Sequence, residues 1–280
     1  SSLAPMQDGG PDHMIELQAN ISESQWREQF PPGDDYLEYY ASESEYHEAS
    51  APLACQIVSI RHPDFSNGLW HLRLPEKIAT DNTAITGSYQ MDIHWSKAED
   101  GWFFEKVPVA GLEGTIEGKI TASQDAVDYS LTMTNESKET WPRAMAFLCF
   151  NHCRAKAYYR YRNFLFRNGK IIETPSRIEE HYCIQGHQRE WWNLGAIQPT
   201  ASLIATSCRD ESGNEFSLGI SASQAILLAQ NPAWPCTDIG LFFGDVAPRQ
   251  RTAVRGKIYF HRGPPMDILR LYQQDFSQKQ

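Results

Sequence analysis

The chain has no run of about 20 uninterrupted apolar residues, so none of its 280 residues reads as part of a membrane-spanning helix. It carries no GxGxxG fingerprint, no Walker loop and no βαβ rhythm, which sets aside dinucleotide and P-loop functions. No Lys/Arg-rich stripe is present to neutralise phosphates, so nucleic acid is not an expected partner. Six cysteines (Cys55, Cys149, Cys153, Cys183, Cys208 and Cys236) are too sparse for a disulfide scaffold and include no CxxC pair; one or two bridges stay open. HxH, HExxH and the GxSxG elbow are also missing. No metal ligand set is assigned and no cofactor is expected; zinc on some of His152, Cys153, His181, Cys183 and His187 is a secondary reading.

What is there is a turn-rich chain with 41% apolar and 12% aromatic residues, 18 Gly and 16 Pro. That is enough apolar material to bury a real core, as one large domain or two small ones. The net charge of −10 is uneven: residues 1–50 hold 11 Asp and Glu against Arg27 alone, and the remainder balances. The expected organisation is an acidic N-terminal extension over 1–50 followed by a neutral domain over 51–280. The sequence opens on Ser1 rather than Met. Removal of a signal peptide would leave such a start, and export is the expectation on that ground, although trimming would look the same.

From about Cys55 onward, short apolar segments alternate with turn residues. Ile57 to Ile60, Tyr89 to Trp95, Thr115 to Thr121 and Tyr129 to Thr134 read as strands. In the last of these Tyr129, Leu131 and Met133 point one way and the hydroxyls the other. Asn168-Gly169 between two apolar runs predicts a tight hairpin over Phe164 to Ile172. Ser202 to Ser207, Phe216 to Ile220 and Ala225 to Ala229 continue the pattern, and Val254 to Phe260 predicts a late strand with one wet face. After Pro264-Pro265, the spacing of Leu269, Tyr272 and Phe276 predicts a short helix over 265–277. So many strands with so few helices imply an all-β fold of two packed sheets.

Two segments concentrate chemistry. From Phe147 to Arg162 an apolar strand runs out into Asn151, His152, Arg154, Tyr158 and Arg160. His exchanges protons near neutral pH, Arg grips carboxylates in a fork, and Tyr donates or accepts a proton. From Glu179 to Asn193, His181 and His187 precede the adjacent indoles of Trp191 and Trp192. Paired indoles beside forked polar groups suit the apolar face of a sugar ring, or equally a core plug. A third stretch, Gln230 to Asp238, sets Asn231 and Trp234 in a Pro-stiffened loop.

Leu131 to Ser137, then Pro142, then Phe150-Asn151-His152 resembles the layout of the galactose mutarotase-like superfamily. Ala247-Pro248-Arg249-Gln250 followed by Val254 to Phe260 is similar to that superfamily's closing element. The resemblance covers about residues 115–260. It implies a two-sheet β-supersandwich, a fold shared with many polysaccharide lyases, and puts His152 where mutarotases serve the ring oxygen. The Glu that an epimerase needs would fall near Leu228 to Asn231, where none stands.

The leading expectation is a carbohydrate-active enzyme working on an acidic or modified oligo- or polysaccharide by lyase-like acid/base chemistry. Such chemistry needs a base, a carboxylate-neutralising group and an acid. Tyr158 or His152, Arg154 or Arg160, and His181 or His187 are the candidates, with Trp191, Trp192 and Trp234 as stacking surfaces and Asn231 as a hydrogen-bonding group. A glycoside hydrolase is a rival, with Glu179, Glu180, Glu190, Asp238 and Asp245 available. A non-catalytic glycan-binding or accessory protein is another.

Overall fold

Tyr129, Leu131 and Met133 are buried together while Ser130 and Thr134 are half-exposed, and the segment Gly114–Ala122 shows a similar two-residue alternation. The structure, a computed structural model, describes residues 14–28, 51–64, 68–152, 162–174, 181–183, 199–209, 213–231 and 236–276, with the backbone alone for 181–183, 230 and 231. In chain order its strands are β1 (Glu16–Gln18), β2 (Ile57–Arg61), β3 (Leu69–Ala79), β4 (Thr86–Gly87), β5 (Ser96–Lys97) and β6 (Gly101–Pro108). They continue as β7 (Gly114–Ala122), β8 (Ala126–Asn135), β9 (Trp141–Asn151), β10 (Asn163–Arg167), β11 (Lys170–Thr174) and β12 (His181–Cys183). The series closes with β13 (Leu203–Arg209), β14 (Glu215–Ala222), β15 (Ala225–Asn231), β16 (Cys236–Val246) and β17 (Arg251–Arg262). Two α-helices, α1 (Glu23–Glu28) and α2 (Pro265–Phe276), and two 3₁₀ segments, Ala51–Gln56 and Ser88–Gln90, complete the described fold.

The strands form two antiparallel sheets. Sheet 1 runs β1-β2-β3-β9-β16-β15-β12, with β4 on β3, and sheet 2 runs β11-β10-β13-β14-β17-β8-β7-β6-β5. Their inner faces meet in one core, with Leu72, Leu148, Phe150 and Ile239 from sheet 1 against Leu131, Met133, Leu218 and Ile258 from sheet 2. Each such side chain contributes about 1.5–3 kcal/mol by leaving water. The expected two-sheet β-sandwich with one short C-terminal helix is what the chain forms.

Asn168 and Gly169 take φ of 51° and 72°, the two positive values a tight hairpin turn needs. Pro265 opens α2, where its missing N–H costs nothing, and Ile268 and Leu269 bury against Phe164, Phe166, Leu203 and Ala205. This docking covers part of the face of β17 that was expected to be wet: Arg255 is exposed, but Tyr259 is buried and donates to Asp275 at 2.8 Å.

Two expectations change. Tyr89 to Trp95 is not a strand: Ser88–Gln90 forms a 3₁₀ turn, and the segment then runs extended without a ladder. Met91, Ile93 and Trp95 still alternate into the core, but the Trp95 backbone bonds a side chain, with Asn20 Oδ1 accepting from its N–H at 3.1 Å and Asn20 Nδ2 donating to its carbonyl at 2.6 Å. Second, residues 14–28 belong to the sandwich rather than to an extension. β1 pairs with β2, and α1 drives Trp26 into a cluster with Ile21, Ala51, Ala54 and Ile57. A reciprocal cap between Ser22 and Gln25, at 3.0 and 3.2 Å, starts that helix. Residues 1–13 and 29–50 lie outside the described residues. Among the described residues no helix is long and apolar enough to cross a membrane.

Candidate functional site

In β9, Ala146, Leu148 and Phe150 enter the core between the sheets, so Phe147, Cys149 and Asn151 face the other way. The same parity in β16 sends Ile239 and Leu241 inward and Cys236 and Asp238 outward, and in β3 it sends Trp70 and Leu72 inward and His71 and Arg73 outward. At one end the outer face of sheet 1 is apolar, with Ala79, Met145, Phe147, Leu227 and Ala229. At the other end it is polar.

Register assembles that polar end into two rows. The first reads Ser59, His71, Asn151, Cys236 and position 231, each the direct partner of the next. The second reads Ile57, Arg73, Cys149, Asp238, Ala229 and position 181. A register shift in β3 between Arg73 and Lys77 brings Glu76 and Lys77 to the margin. Glu76 lies 4.0 Å from the Arg73 guanidinium and 3.7 Å from the Lys77 ammonium.

The polar groups are buried, which sets their electrostatics. Burial first, and then the nearby Glu76 charge, hold the Asp238 carboxyl well above the usual carboxylate range; Lys77, a hydrogen bond with Cys149 and Arg73 pull the other way. Its Oδ1 has no hydrogen-bond partner among the described residues. The Cys149 and Cys236 sulfurs are 3.2 Å apart, and Asn151 Nδ2 donates to Cys236 Sγ at 3.4 Å. The hydrogen bond with Cys236, followed by burial, raises the Cys149 thiol well above its ordinary range. At the near end of the first row, the Trp26 indole covers His71.

The residues expected from the sequence fare differently. His152 was expected as a candidate proton carrier. It shares the parity of Leu148 and Phe150, is 2% exposed, and sits edge-on to Phe150 with Nε2 at 2.8 Å from Thr237 Oγ1. Burial lowers its pKa to about 3, so the ring is neutral at ordinary pH and turned toward the core side of the sheet. Asn231 and His181 fall at the register positions at the ends of the two rows, described by backbone only. Arg154, Tyr158, Arg160, His187, Trp191, Trp192 and Trp234 lie outside the described residues, as do Cys153 and most of the Glu179 to Asn193 segment.

His71, Arg73 and the grouping of Cys149 with Cys236 and Asp238 were not foreseen. The available signal was polar residues at every second position in strands that otherwise read as core: His71 and Arg73 within Leu69 to Leu74, Cys149 and Asn151 within Phe147 to Asn151, Cys236 and Asp238 within one tripeptide. A cleft of about 400 Å³ lies elsewhere, on the outer face of sheet 2, lined by Lys119, Asp128, Arg255, Lys257, Asp275 and others. There Lys257 pairs with Asp128 at 3.4 Å and with Asp275 at 3.1 Å, so its charge is taken up within the cleft.

No family model and no curated protein matches the chain. Among solved structures it is similar to a galactose mutarotase-like protein from Lactobacillus casei ATCC 334, with 12% identity and a TM-score of 0.39 over 74% of this chain and 97% of that one. It is similar to a galactose mutarotase related enzyme from Lactobacillus acidophilus, with 9% identity and a TM-score of 0.37 over 74% and 95% of the two chains. It is also similar to a GH36 alpha-galactosidase from Geobacillus stearothermophilus, with 8% identity and a TM-score of 0.39 over 67% of this chain and 30% of that one. The strands of this chain form a two-sheet antiparallel β-sandwich.

Proposed function

We propose that the chain is a carbohydrate-active enzyme that works on an acidic or modified glycan by acid/base chemistry at the sugar ring, with the polar end of sheet 1 as the floor of its site. The observation that carries this reading is the set of hydrogen-bonding groups on neighbouring strands, with Arg73 and Asn151 at the polar end of the outer face of sheet 1, whose other end is apolar. A planar guanidinium suits a carboxylate, and an amide suits ring hydroxyls.

In a lyase-like elimination the base removes the proton on the carbon beside the carboxylate. That electron pair forms the new double bond, and the glycosidic oxygen leaves and takes a proton from the acid. In this reading Arg73 holds the carboxylate and disperses the charge that develops there, a role for which Arg154 and Arg160 are the alternatives. Tyr158, His181 and His187 are the proton carriers proposed for the base and the acid, with Trp191, Trp192 and Trp234 stacking on the rings. His152 is given no proton-transfer role because it is buried and neutral.

The test is incubation with uronate-containing polysaccharides while following the ultraviolet absorbance of an unsaturated product. Wild type should generate it. Arg73→Gln and Tyr158→Phe should each slow it by about a hundredfold or more while melting within a few degrees of wild type. New reducing ends without unsaturation would replace the lyase reading with hydrolysis. Glycan retention with neither product would reduce the protein to a binding module.

A further inference from the structure

We propose that Cys149, Cys236 and Asp238 form a binding site for a thiophilic divalent cation, with Zn²⁺ as the ion to test. The site stands on its own geometry and does not depend on the glycan reading. Asp238 is the direct cross-strand partner of Cys149, and Cys236 sits two residues earlier on the same face of β16. One ligand atom from each of the three lies within 4.8 Å of the others.

The dimensions suit one ion. Two thiolates on a tetrahedral zinc, each at about 2.3 Å, stand about 3.8 Å apart. The two sulfurs here are 3.2 Å apart, so a small rotation about the side-chain bonds opens the space. The third ligand is ready for it. Asp238 is only 5% exposed, and its Oδ1 has no hydrogen-bond partner among the described residues. A buried carboxyl oxygen left in that state is costly, and an ion coordinated by it removes the cost.

The surroundings fit a charged complex. Two thiolates and a carboxylate around a divalent ion carry a net charge of −1, and Arg73, the register partner of Cys149, lies across from them. Asn151 already directs an N–H at Cys236 Sγ, the outer hydrogen bond that orients and stabilises a metal-bound thiolate. A disulfide between the same cysteines would leave the Asp238 oxygen as it is; a metal uses all three groups. Three protein ligands leave a fourth position for water or another molecule.

The full chain, reduced and treated with a chelator and then desalted, is titrated with Zn²⁺ and separately with Co²⁺. Wild type should take up one equivalent, show a thiolate-to-cobalt charge-transfer band in the near ultraviolet, and melt higher with metal. Cys149→Ser should lower the intensity of that band by about half and weaken binding, and Asp238→Asn should keep the band while weakening binding about tenfold or more. Cys55→Ser and Cys208→Ser should bind like wild type. If Cys149→Ser fails to fold, Asp238→Asn together with the two control variants still decides the matter. Wild type without stoichiometric uptake, uptake unchanged in both site variants, or a Cys149–Cys236 disulfide that reforms in the presence of Zn²⁺ would overturn the site.

Discussion

The indole of Trp26 lies over the imidazole of His71, with ring centroids 4.3 Å apart and planes 32° from parallel. One contact therefore joins the N-terminal segment to the first polar row on sheet 1. Trp26 is fully buried. Trp26→Ala should destabilise the protein by about 3–5 kcal/mol, through lost burial and a cavity that α1 is too short to close. Urea unfolding of the full chain measures this. A change under 1 kcal/mol would mean that residues 14–28 are only loosely attached.

His152 ties stability to pH. Its folded pKa of about 3 lies below the ordinary value of 6.5, so between those limits the unfolded chain binds the extra proton. The contribution is fully present above about pH 6.5 and is lost as pH falls toward 3, with a slope of at most about 1.4 kcal/mol per pH unit. His62, lowered to about 4 chiefly by burial, acts in the same direction. His152→Phe should flatten the dependence of unfolding free energy on pH between 4 and 7 without removing it. Equal slopes in variant and wild type would show that the ring titrates normally.

Asn135 is fully buried, and its amide closes the turn after β8. Nδ2 donates to the Glu139 and Val246 carbonyls at 2.7 and 2.9 Å, and Oδ1 accepts from the Ser137 N–H and hydroxyl at 2.9 and 2.7 Å. Asn135→Ala should cost about 3 kcal/mol, because several of these partners would be left unpaired. Asn135→Asp should cost more at neutral pH, since a carboxylate cannot donate to two carbonyls. Thermal melting at pH 4 and pH 7 separates the two effects. Asn135, which lies within the Leu131 to Ser137 stretch of the sequence resemblance, thus has a structural task here.

Gly219 lies under α2. A Cβ at that position would come within 2.5 Å of Ile268 Cγ2. Gly219→Val should lift the helix and lower stability by about 1–3 kcal/mol. Combining it with Ile268→Ala should recover part of that loss, as expected for two side chains competing for one space. Additive losses in the double variant would place the strain elsewhere.

Local features were legible. The Asn168-Gly169 hairpin, the alternation in β8 and the helix after Pro264-Pro265 each depend on neighbours within a few residues. Tyr89 to Trp95 misled because its alternating burial is real while its backbone bonds side chains instead of a neighbouring strand: the Met91 carbonyl accepts from Gln56, and Trp95 bonds Asn20, 75 residues away in the chain. The place of residues 14–28 was hidden for the same kind of reason: acidic composition describes their solvated side, and only the scattered Ile15, Ala19, Ile21 and Trp26 mark the buried one. His152 looked available because it follows an apolar strand, but strand parity turns it to the core.

The sequence by itself determined that this chain would be built of antiparallel strands in two layers, because side-chain alternation and turn chemistry are local properties. Only the tertiary structure decided what those strands bring together. Cys149 and Cys236 are 87 residues apart and meet through the register of β9 on β16, while His71 and Arg73 join them through β3. A shift of one residue in any of those pairings would send its polar groups to the opposite face. Which face each polar group shares is therefore a property of the assembled sheet.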